Sequence, residues 1–556
     1  MSIDIYKNIV SVVAVLFFLV TSILLYNFPI YPDEVATRFW LSRFLFDYPY
    51  KISNLPTCAS AFSSVFPLTW YVPGIVNWLM HANIKNLHLM RLVGFFTASA
   101  WVSALFFHLR SAIVNLYYTQ VKADYRLNLW LIALLVSLLA VGVYPVFLFT
   151  NRHEQLMLPS VVFLICLFVY LNKYKFSKSL VAIYLLFILY FVCVSLILYA
   201  HPKGMFLAPF FILIGVKIVV GTKKVFISMV LAVLIVLLME QSYFSWKAFF
   251  SCPETPKLNQ LIISFSFDPF SFFYDFKFFL KKCLYSLFQF NRYLFQIGFQ
   301  EITDINYLPQ HPLGPMAKLV NAFIYLNVVI LFFGLTIALP YFYFKNDVVR
   351  GQYLTVNAIL IVLVVCVIFG ALFNLPKNWY DAGYIYSLLI IISVFFVSDN
   401  LPSTFPNKAF SICFFYIVIV GLLSQFIFFH RYSTDLRDGY AGPGIGLVGY
   451  LYDKKHDSEF SNISSVCKID VNNSKHLIVD DYTYFYFSST RMPMPITYIY
   501  LENEPENVQD FIRKSGSSGM VVRCDYMPLS LAPLSLRSGG LCCITQENLR
   551  NVNVTK

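Results

Sequence analysis

Eleven stretches of this chain run almost without charge: 9–28, 92–109, 128–149, 156–171, 179–199, 205–221, 225–243, 318–343, 353–375, 384–398 and 409–429. A membrane-spanning helix needs about 20 mostly apolar residues. Inside lipid every backbone N–H and C=O must find a partner within the protein, which leaves helices or closed barrels as the spanning structures. Runs of this length predict helices. The expected fold is therefore a polytopic α-helical membrane protein of about 11 transmembrane helices. Composition agrees, with 58% of residues hydrophobic and 13% charged, about half the usual charged share of about 25%. Aromatic residues make up 19%, and chains that remain disordered are poor in them. The first run is followed by Asn27-Phe28-Pro29 rather than a small-residue cleavage site, so it is expected to stay as an anchor.

The formal charge is +12, and its distribution gives the orientation. With the N-terminus in the cytoplasm, the inner connections hold Arg110, Lys122, Arg126, Lys173, Lys175, Lys178, Lys217, Lys223, Lys224, Lys345, Arg350 and Lys408, twelve cations. The short outer loops hold three: Arg152, Lys203 and Lys377. That bias is the positive-inside pattern, and it accounts for the basic balance without a nucleic-acid partner. The outer side then carries a first loop over 29–91, a second over 244–317, and the tail. Within them, Val65–Met80, broken by Pro67 and Pro73, reads as interfacial. Phe265–Phe299, aromatic but holding Lys277, Lys281 and Lys282, reads as an amphipathic helix on the membrane surface.

Composition changes near His430, which divides the chain into a membrane region, 1–429, and a soluble extracytoplasmic α/β domain, 430–556. His476–Val479, Thr497–Leu501 and Gly519–Cys524 read as strands and Pro505–Lys514 as a helix, a small βαβ layer. No glycine-rich phosphate loop precedes that helix. Of Cys467, Cys524, Cys542 and Cys543, the adjacent pair is not expected to bond to itself. With neither a C-x-x-C nor a His at ligand spacing, disulfides are expected rather than a metal.

Chemistry is expected outside. The first outer loop opens with Asp33-Glu34, five residues or so beyond the first span. Asp33 can cap a helix and Glu34 favours its positive end; a carboxylate so mounted can also act as a general base. The short outer loops read Asn151-Arg152-His153-Glu154-Gln155, His201-Pro202-Lys203-Gly204 and Lys377-Asn378-Trp379-Tyr380-Asp381. Singly these are capping or solvated residues; together they put three cations and several carboxylates around one membrane face. Arg and Lys at a lipid–water boundary suit a phosphate. The spans are nearly free of ionisable residues, Glu240 being the main exception, which argues against a transporter.

With an Asp-Glu pair after the first span, a large first outer loop and basic residues in later outer loops, the chain resembles the C-type glycosyltransferases (GT-C), multispanning enzymes that use lipid-phosphate-linked sugars. Within that superfamily it is similar to protein O-mannosyltransferases and the lipid A aminoarabinose transferase, and in general look to bacterial O-antigen glucosyltransferases of serotype-converting gtr clusters. The resemblance implies an inverting hexosyltransferase of the bacterial inner membrane, with its tail in the periplasm. The donor would be a polyprenyl-phosphate sugar and the acceptor a lipid-linked or surface glycan such as lipopolysaccharide O-antigen. It further implies Asp33 as general base with Glu34 beside it. Arg152, His201, Lys203 and Lys377 would hold donor phosphate or position substrate, and Glu154 and Asp381 would bind sugar hydroxyls. Glu301 and Asp304 stand in for a second acidic motif, and with it for a divalent metal, which the residues do not otherwise indicate. No WWDYG-like signature is present, which disfavours transfer of a preassembled glycan to protein. The alternatives are a transporter or flippase, and a ligase or polymerase of envelope polysaccharide.

Overall fold

The computed structural model describes residues 3–26, 87–117, 125–150, 153–173, 179–251, 267–268, 270–299, 313–373, 379–400, 407–437, 457–470, 477–480, 483–487, 494–495, 517–545 and 547–548. Every one of the eleven apolar runs is helical. Among the described residues nine helices are long and apolar enough to cross a membrane, and Tyr125–Leu139 and Val225–Glu240 are shorter apolar helices. The chain is thus a multispanning helical membrane protein with a small sheet near its C-terminus.

The membrane helices are α1 (Ile3–Tyr26), α2 (Leu87–Tyr117), α3 (Tyr125–Leu139), α4 (Tyr144–Phe149), α5 (His153–Lys173), α6 (Leu180–Ala200), α7 (Ala208–Thr222) and α8 (Val225–Ser251). After the short α9 (Ser271–Tyr274) come α10 (Phe276–Phe295), α11 (Pro315–Phe342), α12 (Val356–Phe373), α13 (Trp379–Asn400) and α14 (Asn407–Arg437). The spanning part of α13 is 72% buried and lies at the centre, whereas α1 and α11 are each 28% buried and lie outside. Ile23, Val181, Ile188, Phe226, Val233 and Ile337 are exposed large apolar residues on such peripheral helices. Apolar surface of this extent needs lipid to cover it.

Three expectations change in detail. The run 128–149 is two helices, α3 and α4, rather than one. Gly142 has φ +54° between them, and a Cβ there would collide with the carbonyl of Ile297. The chain after α10 passes so close that Val143 N donates to Ile297 O at 3.1 Å, and Gly142 N donates to Ser424 Oγ at 2.6 Å. Pro145 then opens α4 at a position where its missing N–H costs nothing. Gly142→Ala is accordingly expected to lose more than about 1 kcal/mol and to lower the thermal midpoint in detergent; an unchanged midpoint would remove the close approach as the reason for this glycine.

The marginal run 205–221 becomes a 3₁₀ turn, Pro202–Leu207, followed by α7 with Pro209 in its first turn. Lys217 near the other end donates to Leu354 O at 3.3 Å and lies over the Phe168 ring. The expected surface helix is α10, but it does not simply float on lipid. It packs on α12 and α13 and buries Ser286 and Leu294, while Phe276, Leu280, Leu284 and Phe288 stay exposed. The interfacial segment Val65–Met80 lies outside the described residues.

In the tail, α14 runs on to Arg437, past the compositional break at His430. Beyond it stand α15 (Asp457–Val466), α16 (Tyr484–Phe487) and a five-stranded sheet: β1 (Ile478–Val479), β2 (Met494–Pro495), β3 (Gly519–Arg523), β4 (Leu536–Ser538) and β5 (Leu541–Thr545). The order is β2-β1-β3-β5-β4, with β1 parallel to both β2 and β3 and with β5 antiparallel to both β3 and β4. The strands around His476–Val479 and Gly519–Cys524 appear as expected, and the β4–β5 hairpin is new. Thr497–Leu501 and Pro505–Lys514 lie outside the described residues. The four tail cysteines form two disulfides, Cys467–Cys543 and Cys524–Cys542, so the adjacent pair bonds to separate partners. Asp480 ends β1 with a buried carboxylate that accepts from Thr483 N and from Arg523 N, both at 2.8 Å, which ties the ends of β1 and β3 together.

Candidate functional site

The loops at 150–155, 200–204 and 376–383 each give one residue to a single cluster. Glu154 sits in the first turn of α5, where a carboxylate is favoured by the helix dipole. Lys203 is the second residue of the 3₁₀ turn, and Asp381 lies in the first turn of α13. Lys203 Nζ donates to Glu154 Oε1 at 2.8 Å and to Asp381 Oδ1. The side chains are 11% exposed for Lys203, 13% for Asp381 and 0% for Glu154. Among the described residues one ammonium lies between two carboxylates, held where water is scarce. Such a group is stable only because each charge is paired.

Neighbouring polar groups fix this arrangement. His201 caps the 3₁₀ turn, its Nδ1 accepting from Lys203 N at 3.0 Å. Gln155 donates to Phe147 O at 3.3 Å and Leu148 O at 3.1 Å, which are carbonyls at the end of α4, and accepts from Trp101 Nε1 at 3.3 Å. Arg91, buried near the start of α2, donates to Leu25 O and Tyr26 O, each at 3.0 Å. It thereby closes the end of α1, just ahead of the segment that carries Asp33. A lone Arg at a helix start gave no signal in the sequence, because its partners are carbonyls about 65 residues away.

Lys203 and Asp381 line a small cavity of about 30 Å³ whose other walls are mainly apolar, among them Phe206, Gly370, Tyr384 and Leu388. The Lys203 ammonium lies 6.0 Å from the Tyr384 ring centroid. A second cavity of about 540 Å³ shares Phe206 with the first and is walled by α7, α8, Phe270 and the end of α12. Below its rim, Asp268 accepts from Tyr274 Oη at 2.9 Å and from Tyr243 Oη at 3.4 Å. The Tyr274 phenol is pushed up to about 12 by partial desolvation and by that carboxylate, so it stays protonated at neutral pH. The first cavity thus has a charged wall, from Lys203 and Asp381, beside apolar ones.

Of the residues singled out in the sequence, the structure brings together Glu154, His201, Lys203 and Asp381. Asp33, Glu34, Arg152, Lys377, Glu301 and Asp304 lie outside the described residues. Lys203, expected to meet phosphate, spends two of its three N–H donors on carboxylates. That pairing was invisible in the sequence, where 49 and 178 residues separate the partners. Among the described residues no cluster of three or more His, Cys, Asp or Glu is arranged to hold a metal.

No protein-family model matches the chain, and no curated protein matches it. Among solved structures it is similar to an archaeal oligosaccharyltransferase, AglB from Archaeoglobus fulgidus, determined with an inhibitory peptide and a dolichol-phosphate. That similarity spans 92% of this chain and 69% of the other, at a TM-score of 0.43 and 9% identity.

Proposed function

We propose that this chain is an inverting membrane glycosyltransferase of the GT-C kind. It takes a single sugar from a polyprenyl-phosphate donor and passes it to a surface glycan, such as lipopolysaccharide O-antigen, at the outer face of a bacterial inner membrane. The observation that carries the reading is the cluster of Glu154, Lys203 and Asp381, brought together from three separate loops, with Lys203 and Asp381 opening onto an apolar cavity. A lipid-linked sugar has a long apolar body and a polar head, and it needs a site of that form. The two tail disulfides support an outer location for the tail, since disulfides persist in oxidising compartments. With α14 as the last span, that agrees with the positive-inside orientation.

The transfer divides into two tasks. The acceptor hydroxyl must lose its proton, for which Asp33 is the base and Glu34 its neighbour. The donor's C1–O bond must break with its electron pair going to the phosphate, while the acceptor oxygen forms the new bond on the opposite face of C1. Polyprenyl phosphate is already a stabilised anion, so its departure needs charge stabilisation more than acid. Lys203 has a single N–H left for that purpose; Arg152 and Lys377, in the same outer loops, carry the larger share, with His201 positioning substrate. Asp381, at the edge of the cavity, accepts hydrogen bonds from sugar hydroxyls. Glu154, fully buried, holds Lys203 in place. Glu301 and Asp304 remain the candidates for a second acidic group.

The test is release of polyprenyl phosphate by the purified protein from a panel of lipid-phosphate sugars, with an acceptor glycolipid present. The wild type is expected to consume one donor, and Asp33→Asn to lose at least about 100-fold in rate with its fold intact. Normal turnover by that variant would reduce Asp33-Glu34 to a helix cap. Consumption of no donor by the wild type would remove the transferase reading and bring transport to the front.

A further inference from the structure

The larger cavity contains a charge that the transfer reading leaves without a role. Glu240 lies on α8 at its wall and is exposed to it. The helix continues for eleven more residues to Ser251, and its apolar part ends at Glu240. It makes no hydrogen bond or ion pair with any described residue. Nor, among the described residues, does a cation line the cavity: the other lining residues are apolar or aromatic apart from Tyr243. The nearby carboxylate, Asp268, differs in having its acceptors occupied by Tyr243, Tyr274 and the backbone N–H of Phe270.

The aromatic walls have the same electrostatic sense. Phe206 and Phe373 stack with centroids 5.9 Å apart at 3°, and Phe369 stacks on Phe373 at 6.0 Å and 3°. Tyr243 and Phe270 meet edge to face at 5.1 Å. Ring faces carry negative quadrupole density and attract cations, most strongly where water is excluded. Across Phe206, the adjoining cavity is lined by the paired Lys203 and Asp381. A phosphate head would be repelled from Glu240 on every side described. A neutral hydroxyl could donate one hydrogen bond to it but would leave the ring faces unused. An ammonium uses both. Room for an attached chain is also present: a third cavity of about 310 Å³ shares Val236 and Met239 with this one and runs along α7 from Ala208 to Val220 and along α8 from Ser228 to Met239.

From this we infer that the cavity between α7, α8 and α12 binds an ammonium-bearing amphiphile, with Glu240 as its counter-ion, the Phe206, Phe270 and Phe373 rings around its head, and its alkyl chain along α7 and α8. This does not rest on the transferase reading, since neither Glu240 nor the chain channel takes part in the proposed transfer. The source of the amine, whether a membrane lipid or a substrate, is separate from its chemistry.

The experiment compares dodecylamine, dodecanol and dodecyl phosphate as ligands of the full-length protein in an uncharged detergent at pH 7, by native mass spectrometry. Dodecylamine is expected to bind about tenfold or more tightly than dodecanol, and dodecyl phosphate more weakly than either. Glu240→Gln, nearly isosteric, should remove the preference for the amine while leaving dodecanol affinity unchanged. Equal affinity of the wild type for amine and alcohol would overturn the inference, whatever the variant does. So would a Glu240→Gln protein that keeps the full preference. If that variant does not fold, the wild-type comparison decides alone.

Discussion

Lys203→Met is expected to destabilise the bundle by about 3–5 kcal/mol, the cost of removing one partner of a buried ion-paired cluster. Glu154 is fully buried and Asp381 nearly so, and both use this one ammonium. The penalty belongs to the stranded charges rather than to the lost attraction. A triple variant, Lys203→Met with Glu154→Gln and Asp381→Asn, should therefore recover most of the loss, because uncharged groups of similar shape replace the whole cluster. Thermal unfolding of the four proteins in detergent (wild type, Lys203→Met, the Glu154→Gln/Asp381→Asn double and the triple) measures this. A Lys203→Met protein that melts with the wild type would show the cluster to be solvated. A triple variant no better than the single would show that Lys203 acts through packing. Both Lys203→Met and the triple should lose transferase activity, so activity and stability separate in the triple alone.

Reduction of the tail disulfides is the second large effect. Cys467–Cys543 spans 76 residues and Cys524–Cys542 spans 18. On the chain-entropy account these closures stabilise the folded tail by about 4.5 and about 3 kcal/mol. The sheet they support is small: β1 and β2 have two residues each, and β3 and β5 have five. Loss of either bridge is thus a large fraction of the stability such a layer can reach. In the full-length protein, dithiothreitol should make the tail sensitive to limited proteolysis while the membrane helices stay protected. Before reduction, the denatured protein should show no maleimide-reactive thiol among Cys467, Cys524, Cys542 and Cys543. Labelling without reductant would place the tail in a reducing compartment and reverse the orientation argued from charge.

These effects divide according to what each residue's neighbours are. Helix number and position were legible along the chain, because a span is a local property: some 20 apolar residues must satisfy their own backbone in lipid. Two short runs, at 125–139 and 225–240, marked helices at the limit of that rule. The strands at 478–479 and 519–523 were legible for the same reason, as short apolar runs beside turn residues. Polar residues in three short outer loops were also visible as a group facing one side of the membrane.

What tertiary structure alone decided is where contacts join distant residues. Gly142 breaks the third run because the chain at Ile297 and Gly298, more than 150 residues on, presses against it. Pro145 within 128–149 already disfavours an unbroken helix, but where the chain turns is set by that distant contact. Lys203 looked like a cation for phosphate until Glu154 and Asp381 were found on it. The pairing of Cys542 and Cys543 with separate partners depends on which strands lie side by side. Glu240 was only an exception to a clean span; the ring faces of Phe206, Phe270 and Phe373 around its cavity are what give its charge a chemical meaning. Hydrophobic periodicity is written into neighbours along the chain, whereas electrostatic complementarity belongs to groups that folding brings within a few ångströms.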